Sequence, residues 1–299
     1  MKKPVSFYSE GQRLVGDVYY PDGLAAREPR AGIVLCHGYT GVKDIYLPDN
    51  ARVLNEAGYV VLTFDYKGWG DSEGTRSRLA PYSRVADVQA ALTFIGTLPE
   101  VDPERLGIYG TSYGGATVVW VGAVDARVKC VVSVVGIGHG VRWMRSVRRP
   151  DEFHDLLARA DQDRLAQALE GKSALVKREE ILLPDRQSAE LAAAARRNNP
   201  AAVGTIPLEY VHETLAFNPE WVVDRIAPRP ILFITTDDDR LVPPEESLAL
   251  HARAGEPKKL VVLKGYGHYE VYLEPAFSEV MRETTAWFQQ HLPARALTA

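Results

Sequence analysis

Six short apolar runs punctuate the chain: Ala31–Cys36, Tyr59–Phe64, Leu106–Tyr109, Val128–Val135, Ile231–Thr236 and Leu260–Leu263. They are rich in β-branched residues and nearly continuous, whereas a strand with one wet face would alternate apolar and polar positions. That pattern predicts strands buried on both faces of a mostly parallel sheet. Between most of them, apolar residues recur at helical spacing, over Leu47–Ala57, Tyr82–Leu98, Tyr113–Val124, Glu245–Ala254 and Pro275–His291. Strand and helix in alternation predict an α/β protein, an open doubly wound sheet with helices on both faces. Ahead of this pattern, Val5–Tyr20 reads as two extended segments turning near Glu10 and Gly11.

One interval breaks the rhythm. From 137 to 225 the sequence shows no convincing buried strand, and charged helical patterns replace it, including Asp151–Glu170 and Leu183–Asn199. The expected organisation is a core of residues 1–136 and 226–299. A helical cap of residues 137–225 is inserted between the strands near 128–136 and 230–236, over the carboxyl edge where such sheets bind ligands.

Composition narrows the function classes. A net charge of −4 gives no polyanion-binding footprint, which argues against nucleic acid as a partner. Cys36 and Cys130 each lie inside an apolar run and read as core residues of a reducing compartment. Metal-type Cys/His spacing is absent, so neither metal nor cofactor is implied. The start, Met1-Lys-Lys-Pro-Val-Ser6, leads into polar residues, and no apolar run reaches membrane-spanning length. The expectation is a cytoplasmic protein with a small-molecule partner and no membrane contact. A homodimer is a common arrangement for such folds, and the sequence carries no mark for or against it.

Candidate chemistry gathers at three strand ends. Gly110-Thr-Ser112-Tyr-Gly114 follows one apolar run and opens a helical one. Glycines two residues to either side of a serine permit a sharp strand-to-helix turn that exposes the hydroxyl. The helix start directs unpaired N–H groups at charge developing nearby. Asp237-Asp-Asp239 follows the next-to-last run, and Gly265-Tyr-Gly-His268 the last. A serine alcohol needs an imidazole to take its proton, and the imidazole needs a carboxylate to fix its tautomer. Three adjacent aspartates leave the choice of carboxylate open at this point. Of the seven histidines, His37 reads as a structural hydrogen-bonding residue. Asp65 and Asp71 read as turn-stabilising carboxylates.

The chain order Ser, Asp, His, with these flanking motifs, resembles the serine hydrolases of the α/β-hydrolase superfamily over nearly the whole length. His37-Gly-Tyr-Thr-Gly41 is similar to the oxyanion-loop segment, and Asp65-Tyr-Lys-Gly-Trp-Gly-Asp-Ser72 to the family's Asp-x-x-Gly-x-Gly-x-Ser turn. Bacterial carboxylesterases, including feruloyl/cinnamoyl esterase-like enzymes, look most alike. The dienelactone-hydrolase-like and acyl-peptidase clans are also close, although serine at 112 departs from the cysteine nucleophile of dienelactone hydrolases proper and excludes the aspartate nucleophile of haloalkane dehalogenases and epoxide hydrolases. The resemblance implies Ser112 as nucleophile, His268 as base and Asp239 as its carboxylate, because the family aspartate stands shortly before a Val-Pro pair such as Val242-Pro243. It also implies an oxyanion hole from the backbone N–H groups of Tyr39 and Tyr113. The expected reaction is hydrolysis of a small carboxylic ester through an acyl-enzyme. Amide, peptide, thioester or carbon–carbon cleavage by the same triad is the alternative, and a non-catalytic binding protein on a hydrolase fold is the rival of another class.

The insertion supplies the substrate candidates. Val141-Arg-Trp-Met-Arg-Ser-Val-Arg-Arg149 follows a strand that borders the expected site. Arg142 and Arg145 would steer an acidic or aromatic acyl group, against the alternative of a solvated basic helix start paired with cap carboxylates. Trp143, Tyr210, His212, Phe217 and Trp221 are candidates for lining the pocket, against the alternative of packing the cap.

Overall fold

A hairpin opens the computed structural model, which describes residues 1–24, 28–197, 199 and 204–295. Strands β1 (Lys2–Ser9) and β2 (Gln12–Tyr19) turn at Glu10 and Gly11, both with positive φ. Then follow β3 (Arg30–Cys36), α1 (Leu47–Glu56), β4 (Val60–Phe64), α2 (Pro81–Gly96), β5 (Val101–Thr111), α3 (Tyr113–Val124) and β6 (Val128–Val134). The chain next leaves the sheet for α4 (Gly140–Ser146), α5 (Pro150–Glu170), β7 (Leu175–Lys177), α6 (Arg178–Ile181), α7 (Arg186–Arg197), β8 (Thr205–Pro207) and α8 (Tyr210–Leu215). It returns through β9 (Ile231–Thr236), α9 (Glu245–Arg253), β10 (Lys258–Leu263) and α10 (Ala276–His291).

The main sheet has eight strands in the order β1-β2-β4-β3-β5-β6-β9-β10. Pairing is antiparallel from β1 through β2 to β4 and parallel from there onward. Strands β3, β4 and β9 are buried along their full length, which is why their sequences do not alternate. Alternation survives in space. Ile33 and Leu35 of β3 face the core under α1 and α10, while Val34 and Cys36 face the opposite core under α2 and α3. On α10, Phe277, Val280, Met281, Thr284, Trp287 and Phe288 are buried at spacings of three and four, and that face seals one side of the sheet. Helix α3 is apolar almost all round because sheet, α2 and the returning chain enclose it.

Two differences from the sequence reading have local causes. Strand β5 begins at Val101, five residues before the apolar run, because Val101 pairs with Arg30 ahead of a register shift. The inserted stretch also contains a two-stranded antiparallel sheet, β7 with β8. Three residues per strand are too few for periodicity to register, although Ile206 is fully buried.

Parallel strands bring the chemistry to one edge. Strands β3, β5, β9 and β10 all end on the same side, and the connections after them carry His37, Ser112, Asp239 and His268. The reversal of chain order at β3, which lies between β4 and β5, opens a crevice at that edge.

The inserted stretch is fastened to the sheet by charge and by aromatic packing. Arg142 donates from Nε to Glu246 Oε1 at 2.7 Å and from Nη2 to both Glu246 and Glu220, carboxylates that are otherwise buried. Glu246 also accepts from the backbone N–H groups of Gly138 and His139 at 2.9 and 2.8 Å. Trp143 donates from its indole to Leu241 O at 2.8 Å. Tyr113, Tyr210, Phe217 and Trp143 form a buried aromatic cluster between α3 and the insertion.

Two stability predictions follow from this packing. A Cβ on Gly114 would lie 2.1 Å from the Cys36 carbonyl oxygen, so Gly114→Ala must separate α3 from β3. Urea unfolding should register a loss of about 3 kcal/mol, and a change within 0.5 kcal/mol would count against the close approach. Arg142→Met strands two buried carboxylates and should likewise cost about 3 kcal/mol. A fully stable variant would show that the clamp is not formed.

Candidate active site

Ser112 stands between β5 and α3 with φ 56° and ψ −122°, a conformation that side chains other than glycine rarely adopt. Its neighbours explain how the turn is held. A Cβ on Gly110 would lie 2.2 Å from the Gly114 oxygen, so the two glycines of the motif make room for one another. The Ser112 N–H donates to Val134 O at 2.8 Å, and its carbonyl accepts from Ala116 at 3.2 Å. The hydroxyl is thereby aimed off the carboxyl edge of the sheet.

His268 lies just past β10, buried, with its ring between two partners. Its Nε2 is 3.0 Å from Ser112 Oγ, and its Nδ1 is 2.6 Å from Asp239 Oδ2. Asp239 is buried too, and its other oxygen accepts from the N–H groups of Leu241 and Val242 at 2.9 and 2.8 Å. Those bonds lock the carboxylate in one rotamer and leave Oδ2 for the imidazole. The adjacent acids face elsewhere. Asp237 accepts from Gly265 N–H at 2.7 Å, a bond that holds its carboxyl below the usual range, and it pairs with Lys264. Asp238 pairs with Arg240 at the surface.

The loop after β3 closes over the serine. A Cβ on Gly38 would lie 3.0 Å from Ser112 Cβ. Thr40 is held at φ 53°, and Arg84, fully buried on α2, donates from Nη1 to the carbonyls of His37 and Gly38 at 3.4 and 3.2 Å. The Arg84 guanidinium also stacks over Tyr66, 4.3 Å from the ring centroid. His37 is buried against Tyr66 with Nδ1 3.2 Å from Gly38 O. Burial and the neighbouring Arg84 push its pKa well below the usual histidine range, so it stays neutral. Asp65 pins the same region, accepting from the N–H groups of Lys43 at 2.7 Å and Asp71 at 3.1 Å. Tyr39 and Tyr113 flank the serine from the loop and from the helix start. The Tyr39 hydroxyl turns away to donate to Arg178 O at 3.1 Å, and Tyr113 shares a hydrogen bond with Thr214 at 3.1 Å.

A narrow cavity of about 60 Å³ lies at the serine, lined by Ser112, His268, Gly38 to Gly41, Ile45, Tyr46, Leu47, Leu241, Tyr269 and Tyr272, with Arg178, Leu182 and Ala192 from the insertion. Tyr46 and Tyr272 stack at 4.1 Å to form one wall. A larger chamber of about 260 Å³ adjoins it, sharing Arg178, Leu182, Ala192, Leu241 and Tyr269.

The substrate candidates from the insertion fall elsewhere. Arg142 is committed to Glu220 and Glu246, and Arg145 is exposed on the outer side of α4. Trp143 and Tyr210 pack behind Tyr113, one layer away from the cleft. His212 pairs with Asp161 at 3.2 Å, and Trp221 lies against His139 with most of its surface in solvent. Trp143, Tyr210 and Phe217 pack the insertion to the core instead of lining the cavity. Arg178, Leu182 and Ala192 take that place. They belong to short or Ala-rich segments with no distinguishing motif. Tyr269, next to His268, and Leu241, two residues after Asp239, lie beside recognised motifs.

The only cysteines, Cys36 and Cys130, are buried free thiols, and burial pushes Cys36 up to about 12. Among the described residues no cluster of His, Cys, Asp and Glu could hold a metal ion, and no helix is long and apolar enough to cross a membrane.

Comparison with known proteins gives this geometry a family. The Hydrolase_4 family model, described as serine aminopeptidase, S33, matches residues 27–276. An uncharacterized 31.7 kDa protein from the traX-finO intergenic region of Escherichia coli is 31% identical over 261 residues, covering 87% of this chain and 91% of its own. Thiohydrolase aneE of Aspergillus aculeatus is 26% identical over 303 residues, covering 96% of this chain and 92% of its own. The crystal structure of the α/β hydrolase GrgF from Penicillium sp. sh18 superposes with a TM-score of 0.82 at 24% identity, over 98% of this chain and 99% of that one. The chain belongs to the Hydrolase_4 family and is a hydrolase of the α/β type.

Proposed function

We propose that the protein is a serine hydrolase that cleaves a small carboxylic ester through an acyl-enzyme on Ser112. The observation that carries this reading is the continuous relay from Ser112 Oγ to His268 Nε2 at 3.0 Å and from His268 Nδ1 to Asp239 Oδ2 at 2.6 Å. In the first half-reaction Ser112 attacks the acyl carbon and His268 accepts its proton. Asp239 holds the imidazole in the tautomer with its proton on Nδ1 and stabilises the imidazolium. The backbone N–H groups of Tyr39 and Tyr113 receive the oxyanion, and His268 then protonates the departing alcohol. In the second half-reaction His268 takes a proton from water, whose oxygen attacks the acyl carbon; the bond to Ser112 Oγ then breaks, His268 returns the proton to Oγ, and the acid departs. Arg84, through the carbonyls it holds, positions the loop that carries Tyr39.

Residues 137–225 act in this reading as a cap on a core of 1–136 and 226–299, because Arg178, Leu182 and Ala192 roof the cavity. The cavity wall supplies no free carboxylate among the described residues, which disfavours recognition of a peptide's N-terminal amine. A second reading keeps the relay and exchanges the ester for a thioester. It is favoured by the relative described as a thiohydrolase. A purely binding protein would have no need of all three aligned groups.

A fluorophosphonate probe should label the folded protein and leave Ser112→Ala unlabelled, with ester turnover reduced at least about 10⁴-fold in that variant. Equal labelling of both would refute the nucleophile assignment. On matched acyl groups presented as ester, thioester and amide, the ester should give the highest kcat/KM, with His268→Ala as background. Clear dominance of the thioester would transfer the assignment to the second reading.

A further inference from the structure

We propose that Arg178 is a specificity-determining residue that binds a carboxylate carried by the substrate, beyond the acyl carbon held at Ser112. This rests on the reading of Ser112 as nucleophile and identifies the substrate class, an ester whose acyl part bears a second, ionised carboxyl group.

The arginines around the cleft differ in what their head groups do. Arg84 donates to two carbonyls, Arg142 to two carboxylates, and Arg148 to the carbonyls of Met144, Glu180 and Ile181. Arg178 makes no side-chain hydrogen bond to a described residue. Its nearest acid, Glu179, lies 3.8 Å from Nε, beyond hydrogen-bond reach, and its guanidinium rests 5.1 Å from the centroid of the Tyr39 ring. The side chain is nevertheless only 8% exposed. A mostly buried guanidinium that donates no hydrogen bond to the described chain, and whose nearest acid stands beyond hydrogen-bond reach, keeps donors for an anion from outside the chain.

Its place explains which anion. Arg178 lines both the narrow cavity at Ser112 and the wider chamber beside it, so it stands where the two spaces adjoin. An acyl chain leaving Ser112 toward the chamber passes this guanidinium within a few bonds of the carbonyl. The remaining walls shared by the two spaces, Leu182, Ala192, Leu241 and Tyr269, suit the intervening methylenes. A planar fork matches a carboxylate bidentately. Glu179 also borders the chamber and repels a dianion such as a phosphomonoester more than a singly charged carboxylate. The backbone is held independently of this side chain, since Arg178 O accepts from Tyr39 and Arg178 N–H donates to Gly204 O at 3.1 Å.

The test compares 4-nitrophenyl monoesters of glutaric and adipic acids with their neutral ω-amide counterparts on the full chain. The wild type should favour the acids by about tenfold or more in kcat/KM. Arg178→Met should remove that preference, mainly through KM, while the neutral esters change less than about threefold, and Arg178→Lys should retain part of it. Calorimetry supplies a readout that does not need turnover. Free glutarate should bind Ser112→Ala and bind at least about tenfold more weakly to Ser112→Ala/Arg178→Met. Equal preference for acid and amide in the wild type, or the same loss on both in Arg178→Met, overturns the proposal. Failure of Ser112 to label while glutarate binding still depends on Arg178 would instead overturn the nucleophile reading alone.

Discussion

The site depends on one backbone conformation, the positive φ at Ser112. That residue sits where the buried end of a strand hands over to an almost fully buried helix, so neither neighbour can move to relieve it. The turn closes because Gly110 and Gly114 lack side chains where the chain crosses itself, and because Gly114 lets the start of α3 approach the end of β3. The same approach lays the His37–Gly41 loop over the serine. Backbone strain at one position is thus held by close packing on every side, and the result is a hydroxyl at the cavity wall beside the first N–H groups of a helix.

A second layer fixes the partners of that hydroxyl through backbone groups. Asp239 is oriented by two N–H groups of its own turn, and the Tyr39 loop by an arginine that grips two carbonyls and stacks on Tyr66. Below the turn, Tyr113 joins Tyr210, Phe217 and Trp143, so the inserted stretch packs on the helix that begins just after Ser112.

Charge is distributed by the same logic. Arg142 commits its head group to Glu220 and Glu246, two buried carboxylates of the fold. Arg178 lines the cleft and donates no side-chain hydrogen bond to a described residue, with Glu179 3.8 Å from its Nε.

The sequence by itself determined the strand and helix order, the parallel core and the three strand-end motifs, because burial on two faces and sharp turns restrict residue type locally. Ile231–Thr236 and Tyr113–Val124 match the predicted segments at both ends, and Ser112, His268 and Asp239 meet within hydrogen-bond distance. Choosing among Asp237, Asp238 and Asp239 required the resemblance, since three adjacent carboxylates look alike until the turn directs each side chain. The cavity wall was decided only by tertiary structure. Arg142 and Arg178 are the same residue type in the same insertion, yet one meets two buried carboxylates far along the chain and the other lies over the Tyr39 ring at the cavity wall. Which partners a charged side chain finds depends on how 104 residues of chain fold back between Arg142 and Glu246, and no local pattern encodes that distance.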